Sequence, residues 1–335
     1  MKEKKMRPIF SVIIAAYNSE QYIKQCLDSV IKQTERLIEV IVVNDGSQDN
    51  TREIIETYAE KDHRINLIHK QENQGKSKAI IDALERVTGE YVTLLDSDDW
   101  INENYYTEIK KKLVNAPEVL IAGYILEPGG KKICTHYKID CMMSGIDLVK
   151  SNPLVHTSYD ASFSCRMFFK TAFLKENHFM PDTKIVIGED TEFNLRVLKI
   201  AKKTLAVDCA GYHYRTNNQN SLVHQSYKPT LENDLNLQYP TRRNFCKEKK
   251  YIQNMARYYT DVMIFNVIRN AKQQPNGLQI DDMKRILNAK WLRESYKLIK
   301  YNGYTRSSCP CKEKILRFCM EKRLFVLCYL YYKIR

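Results

Sequence analysis

The first hundred residues alternate between two hydrophobic periods, and that alternation leaves the chain few folds. Phe10-Ser-Val-Ile-Ile14 reads as a buried strand. Ile23, Cys26, Leu27, Val30 and Ile31 then recur at i, i+3, i+4, i+7 and i+8, the apolar face of a helix capped by Asn18 or Ser19. Val40–Val43 is a second strand, followed by a helix with Ile54, Ile55 and Tyr58 on its apolar face. Ile65–Ile68 is a third strand, Ile80, Ala83, Leu84 and Val87 mark a third helix stopped by Gly89, and Tyr91–Leu95 is a fourth strand. Strands joined by helices of this length imply an α/β fold with a doubly wound, largely parallel sheet.

Such sheets bind ligands beyond the carboxyl ends of their strands. Four polar clusters stand there: Ala15–Asn18, Asn44–Ser47, Lys70–Lys76 and Asp96-Ser-Asp-Asp99. The last puts three carboxylates within four residues and no basic residue beside them. A solvated turn, or a cap for a helix starting near Asn102, is one reading. The other is a site for a hard divalent cation, Mn2+ or Mg2+, which takes oxygen ligands and is commonly shared with phosphate.

From about residue 118 the pattern changes. Val119–Leu126 and Lys132–Ile139 flank Pro128-Gly-Gly130 as a hairpin, and Phe163–Phe169 is a further strand. Gly188-Glu-Asp190 precedes a helix with Phe193, Val197, Ile200 and Ala201 on one face. Acids in a first turn favour the helix dipole whatever their function. Residues 226–335 carry few strand signals and read as mostly helical.

Charge divides the chain at a similar place. Residues 226–335 hold 23 Lys/Arg against 9 Asp/Glu, a net +14 of the whole chain's +13, so residues 1–225 are nearly neutral. A basic chain with 22 tyrosines invites a nucleic-acid-binding reading. The positive charge is separate from the α/β rim, however, and no RNA-binding motif occurs, so no nucleic-acid partner is expected. The ten cysteines form no framework, and Cys309, Cys311 and Cys319 have no histidine after His224 to complete a zinc site. With no apolar signal segment or membrane span, the expected location is cytoplasmic.

Taken in order, Ser11-Val-Ile-Ile-Ala-Ala-Tyr-Asn18, Val42-Val-Asn-Asp-Gly-Ser-Gln-Asp49-Asn-Thr51, Asn73-Gln-Gly75 and Gly89–Asp99 resemble the blocks of the family 2 glycosyltransferases. The resemblance is strong over residues 9–110 and looser to about 222. It implies a GT-A fold, a Rossmann-like doubly wound mixed sheet, over residues 1–225. Residues 1–110 would form the nucleotide-binding half and 111–225 the acceptor half, before the helical region 226–335. It also implies an inverting hexosyltransferase that moves a sugar from a nucleotide-diphosphate sugar to a glycan or lipid-linked acceptor in bacterial surface polysaccharide or glycoconjugate synthesis. A non-catalytic sugar-nucleotide-binding relative is the alternative, opposed by the presence of Asp45, Asp96, Asp98 and Asp190.

By the same resemblance, Tyr17 would lie against the nucleotide base and Asp45 would accept a hydrogen bond from its edge, favouring UDP. Asp96 would contact ribose or the metal, Asp98 would be the main metal ligand, and Asp190 would be the catalytic base. Arg215 and Ser221 match positions that approach the diphosphate. Two departures stand out. Gln219 replaces a histidine, leaving His213 structural, and Ile80-Ile81 replaces an Arg-Asn pair. Ile80 belongs to an apolar face, so Lys76 or Lys78 is left to reach the diphosphate.

The C-terminal segment carries Leu316, Met320, Leu324, Leu327, Tyr331 and Ile334 at helical spacing amid Lys314, Arg317, Lys322, Arg323, Lys333 and Arg335. Two readings fit such a helix: packing on the catalytic domain or in a homo-oligomer, and lying on an anionic membrane. Salt-sensitive peripheral association through residues 306–335, at the inner face of the cell membrane, is the expectation.

Overall fold

The computed structural model describes residues 7–135, 137–152, 162–219, 221–301 and 311–334. They divide into two compact units, one of residues up to 184 with 189–218, the other of 185–188 with 219 onward.

The first unit opens with β1 (Phe10–Ala16), α1 (Ile23–Ile31), β2 (Ile38–Asn44), α2 (Thr51–Lys61), β3 (Ile65–His69), α3 (Lys76–Leu84) and β4 (Tyr91–Leu94). These strands lie parallel in the order β3-β2-β1-β4. Residues Phe10–Ile14 are buried on both faces of the sheet, which is why Val12–Ile14 is continuously apolar instead of alternating; the one polar member, Ser11, donates its hydroxyl to Glu39. Each buried Val, Leu or Ile contributes about 1.5–3 kcal/mol. Ala16 pairs with Asn44 and Asn44 with His69, so the carboxyl ends finish flush and their following loops share one rim.

Next come β5 (Trp100–Ile101), α4 (Tyr105–Lys112), β6 (Val119–Glu127), β7 (Lys131–Ile133), α5 (Gly145–Ser151), β8 (Met167–Lys170), α6 (Thr171–Glu176), α7 (Glu189–Ile200) and β9 (Thr204–Arg215). β8 pairs antiparallel with β4, and the sheet continues through β6 and β9 to β5. The sheet is therefore mixed. β9 runs parallel to β6 with register shifts near Gly123, and its carboxyl end pairs with β5, Trp100 opposite His213 and Ile101 opposite Tyr212. Gly211 permits this course, since a Cβ there would stand 2.5 Å from the Tyr105 ring.

Several local expectations need correction. The N-cap of α1 is Tyr22, with no side-chain cap; Ser19 contributes its backbone carbonyl, which accepts from the Tyr22 and Ile23 N–H groups. Asn18 instead ties β1 to β2, donating its N–H to Ser47 Oγ and accepting from Gln48 N–H. The third helix ends at Leu84, before Gly89. The hairpin forms with a shorter second strand, β7; His136 lies outside the described residues. The strand expected over 163–169 begins only at Met167, after a 3-10 turn at Ser164–Arg166. Ile200 is exposed, and Leu198 takes the inward position on α7. The sequence reading passed over β9 because Asp208 and Gly211 interrupt its apolar pattern.

The second unit contains α8 (Leu231–Arg243), α9 (Lys249–Arg257), a π-turn at Tyr258–Met263, α10 (Ile264–Lys272), α11 (Ile280–Asn288), α12 (Lys290–Tyr301), α13 (Cys311–Glu321) and α14 (Phe325–Ile334). Its core includes Met255, Tyr259, Val267, Met283, Trp291, Met320 and Cys328. The C-terminal stripe is not one helix face. Leu316 and Met320 turn inward, whereas Leu324 and Leu327 are exposed. Arg323, at φ +59°, breaks the helix: Leu324 N–H donates to Cys319 O and Arg323 N–H to Met320 O, a Schellman ending with arginine where glycine is usual. Residues 302–310, including Arg306 and Cys309, lie outside the described residues.

Among the described residues no helix is long and apolar enough to cross a membrane.

Candidate active site

The rim is assembled from β2 outward. Gly46 has φ +71°, and a Cβ there would come within 2.4 Å of the Glu72 backbone, so only glycine allows the two loops to touch. The contact sets Asp45 under the 73–75 loop. Its carboxylate accepts from Gln74 N–H at 3.1 Å and Gly75 N–H at 2.8 Å, and Lys70 Nζ stands 3.0 Å from Oδ1. Asp45 is only 3% exposed. It fastens the loop that starts α3, whose first residue is Lys76.

Lys76 is the centre of the site. Its Nζ lies 2.9 Å from Asp96 Oδ1, 3.9 Å from Asp190 Oδ2 and 4.0 Å from Glu189 Oε1. Burial works against its charge, but Asp190, Asp96 and Glu189 outweigh it and hold the amine protonated well above the usual lysine range. Lys78, the other candidate, is turned to Asp82 at 2.6 Å.

Glu189 and Asp190 occupy the first turn of α7. They border a small cleft whose wall is otherwise mainly apolar, including Ile80, Leu94, Phe169 and Phe193. Ile80 stands in that wall, consistent with an apolar rather than a diphosphate role. Burial and then the charge of Asp190 push the Glu189 carboxyl up to about 7. Burial also raises Asp190, opposed by Lys76 and reinforced by Asp96. Ser164 N–H donates to Asp190 Oδ2 at 3.3 Å, fixing its orientation. A carboxylate raised toward neutrality beside a cleft is suited to accepting a proton.

The other acids of the cluster have separate partners. Asp98 Oδ2 accepts from Asn218 Nδ2 at 2.7 Å. Asp99, 1% exposed, accepts from the Tyr212 hydroxyl at 2.5 Å and from Arg215 N–H at 2.7 Å. The Arg215 guanidinium lies 4.7 Å from both the Tyr22 and Trp100 ring centroids. Its Nε donates to the Asp98 carbonyl at 2.7 Å and its Nη2 to Gln25 at 2.6 Å. In this arrangement Arg215 braces the acidic loop. The carboxyl end of β9 therefore sets the shape of the Asp96–Asp99 turn.

Among the described residues no three His, Cys, Asp or Glu side chains converge as a metal cage. Mg2+ and Mn2+ do not require one, since one or two carboxylates with phosphate oxygens and water complete their shell. Burial first, and then the charge of Asp96, raise the Asp98 carboxyl above its usual range. A cation would relieve that excess negative charge. The donor set of Asp98 and Asp96 fits one that arrives with a diphosphate.

Of the expected site residues, the fold brings Lys76, Asp96 and Asp190 into one cluster and Asp98 against Arg215. Tyr17 stands at the end of β1 with 45% of its surface exposed, its ring open to stacking. Ser221 and Gln219 belong to the second unit, and Asn220 lies outside the described residues. His213 is structural here, bridging Glu127 and Asn102 and stacked on Trp100. Sequence reasoning missed Asn218; it placed Tyr212 in the block Tyr212–Arg215 without a role, and it saw no partner for Asp99.

The model of the family described as glycosyl transferase family 2 matches residues 11–175. The putative glycosyltransferase EpsH of Bacillus subtilis (strain 168) is 30% identical over 285 residues, covering 83% of this chain and 80% of EpsH. The uncharacterised glycosyltransferase EpsJ of the same organism is 28% identical over 243 residues, covering 72% of this chain and 70% of EpsJ. Among solved structures, S. aureus TarS 1–349 in complex with UDP-GlcNAc superposes with a TM-score of 0.69 at 20% identity, covering 97% of this chain and 90% of that one. At that identity the likeness is one of fold.

Proposed function

This chain belongs to the family 2 glycosyltransferases, and from that premise we propose that it transfers a sugar, with inversion, from a UDP-sugar to a hydroxyl of a glycan or lipid-linked acceptor. The observation that carries this reading is the meeting of Lys76, Asp96 and Asp190 at the carboxyl ends of the parallel strands. A cation and a raised carboxylate side by side are what a diphosphate leaving group and an attacking hydroxyl need. The pairing of a similar fold with UDP-GlcNAc supports the choice of donor, and a bacterial role in surface polysaccharide or glycoconjugate synthesis is supported by the likeness of 121 residues, at 36% identity, to TuaG of B. subtilis, a putative teichuronic acid biosynthesis glycosyltransferase.

In this mechanism Tyr17 stacks on the base. Asp45 accepts two backbone N–H groups and pairs with Lys70, and its remaining acceptor capacity would serve the base edge. Lys76 leaves the acidic cluster for the diphosphate when the donor enters. Asp190, oriented by Ser164, then takes the proton of the acceptor hydroxyl as its oxygen attacks the anomeric carbon. Attack on the face opposite the nucleotide makes an α-linked donor yield a β-glycoside. A divalent ion, Mn2+ or Mg2+, held by Asp98 with Asp96 would neutralise charge on the departing diphosphate. Arg215 and Asn218 hold Asp98 in place. Nucleotide sugars and the free thiols of the described cysteines both suit the cytoplasmic side of the membrane.

The test is release of nucleotide diphosphate from a panel of UDP-, GDP- and dTDP-sugars with Mn2+ or Mg2+, with the product anomer read by NMR. Turnover of a UDP-sugar to a β-linked product is expected. Retention of configuration, or no release from any donor, would overturn the reading.

A further inference from the structure

The last helix of the chain is apolar except for Lys333 near its end, yet only one side is covered. Phe325, Cys328, Tyr329 and Tyr332 of α14 pack into the core of the helical unit. The opposite stripe leaves Val326 and Leu327 each 55% exposed and Leu330 44% exposed, continuing the exposed Leu324 before the helix. Phe318 on α13 is 52% exposed as well. A helix without a polar face normally has both sides buried. Here the uncovered side consists of aliphatic side chains flanked by cations. Lys322 and Arg323 are exposed at its start and Lys333 one turn beyond Leu330. Lys322 Nζ lies 5.9 Å from the Phe318 ring centroid.

We propose that this stripe docks on an anionic lipid surface, its leucines and valine entering the acyl boundary while Lys322, Arg323 and Lys333 meet the headgroups. Charge complementarity selects the occupant. A two-fold contact with a second copy would set each cationic flank against like charge. Lipid headgroups supply the opposite sign, and cations near an anionic membrane each strengthen binding. At 10 residues α14 is too short to span a bilayer, so it lies along the interface. The helical break at Arg323 matters to this surface, because it turns Leu324, Val326 and Leu327 outward while Leu316 and Met320 remain in the core. The purpose of such docking, bringing the active site to a lipid-linked hydroxyl, rests on the transfer reading; the surface itself does not.

The full chain is sedimented with phosphatidylglycerol vesicles and with phosphatidylcholine vesicles, without donor, at low and high salt. Binding to phosphatidylglycerol alone, weakened by salt, is expected. Val326→Ser/Leu327→Ser/Leu330→Ser and, separately, Lys322→Gln/Lys333→Gln should each bind about tenfold more weakly or worse. Both should keep the parent's circular dichroism and its nucleotide-diphosphate release in solution, so that loss of docking is distinguished from loss of catalysis. No sedimentation of the intact chain with phosphatidylglycerol at low salt would overturn the proposal, as would undiminished binding by both variants. A concentration-dependent dimer that the triple variant dissolves would assign the stripe to a second copy instead.

Discussion

Lys76 Nζ lies 2.9 Å from Asp96 Oδ1 and 3.9 Å from Asp190 Oδ2, so one amine neutralises a carboxylate assigned to the cation and the carboxylate assigned to the proton. Lys76 lowers the affinity of Asp190 for a proton against the effects of burial and of Asp96. Removing it should therefore raise that affinity. Because the base acts in its ionised form and kcat/KM reports the free enzyme, in which Lys76 stands beside Asp190, the rising limb of the pH profile of kcat/KM should move to higher pH in Lys76→Met, by about one unit or more. Activity at neutral pH should fall and partly recover on the alkaline side. Lys76→Arg, which keeps the charge, should hold the limb near its original position. An unshifted limb in the Met variant would separate Lys76 from the base.

Asp98 is held from two sides, by Asn218 at its carboxylate and by Arg215 at its carbonyl. Asp98→Asn preserves this shape and removes one formal charge, so folding should survive. Transfer should fall by about two orders of magnitude or more, with a weaker apparent affinity for Mn2+ in a metal titration. EDTA should abolish the parent's activity, and added Mn2+ or Mg2+ should restore it. Wild-type turnover by the variant, or activity untouched by EDTA, would remove the metal assignment.

Asp190→Asn separates chemistry from binding. Calorimetry should give near-parent affinity for UDP, while transfer falls by roughly 10²–10⁴. Equal losses of both would point to a disturbed start of α7 instead of a missing base.

Asp99 is the structural member of the acidic cluster. Tyr212→Phe deletes the phenol that donates to it at 2.5 Å inside the sheet. The variant should lose about 1–3 kcal/mol of stability in denaturant unfolding, the usual range when a buried polar group loses a hydrogen-bond partner. A variant as stable as the parent would show that Arg215 N–H alone satisfies Asp99.

The parallel half of the sheet was legible because each strand there is a short apolar run and each helix a local period. Phe10–Ile14 and the Ile23–Ile31 face announce themselves within a few residues. β9 was not, since Asp208 and Gly211 interrupt it and its place depends on β6 and β5, far away in the chain. The expected cap at Ser19 failed for a related reason: its side chain bonds to Ser97 Oγ, while its carbonyl serves the helix. Nor could local pattern assign residues 185–188 to the helical unit, where Asp234 accepts from the Val186 and Ile187 N–H groups. In the tail, periodicity found the apolar residues of the C-terminal stripe but not the left-handed turn at Arg323 that sorts them into buried and exposed.

The sequence by itself determined the order of strands and helices through β4, the four polar clusters past the strand ends and the identity of the acids, because these depend on short-range periodicity and residue chemistry. Only the tertiary structure decided what faces each acid: Lys76 for Asp96, Asn218 for Asp98, Tyr212 for Asp99 and the apolar cleft for Asp190. Those pairings depend on strand register and on how closely Gly46 and Gly211 let neighbouring segments approach. Burial and charge then set each acid's proton affinity, and both are properties of the packed neighbourhood rather than of the residue.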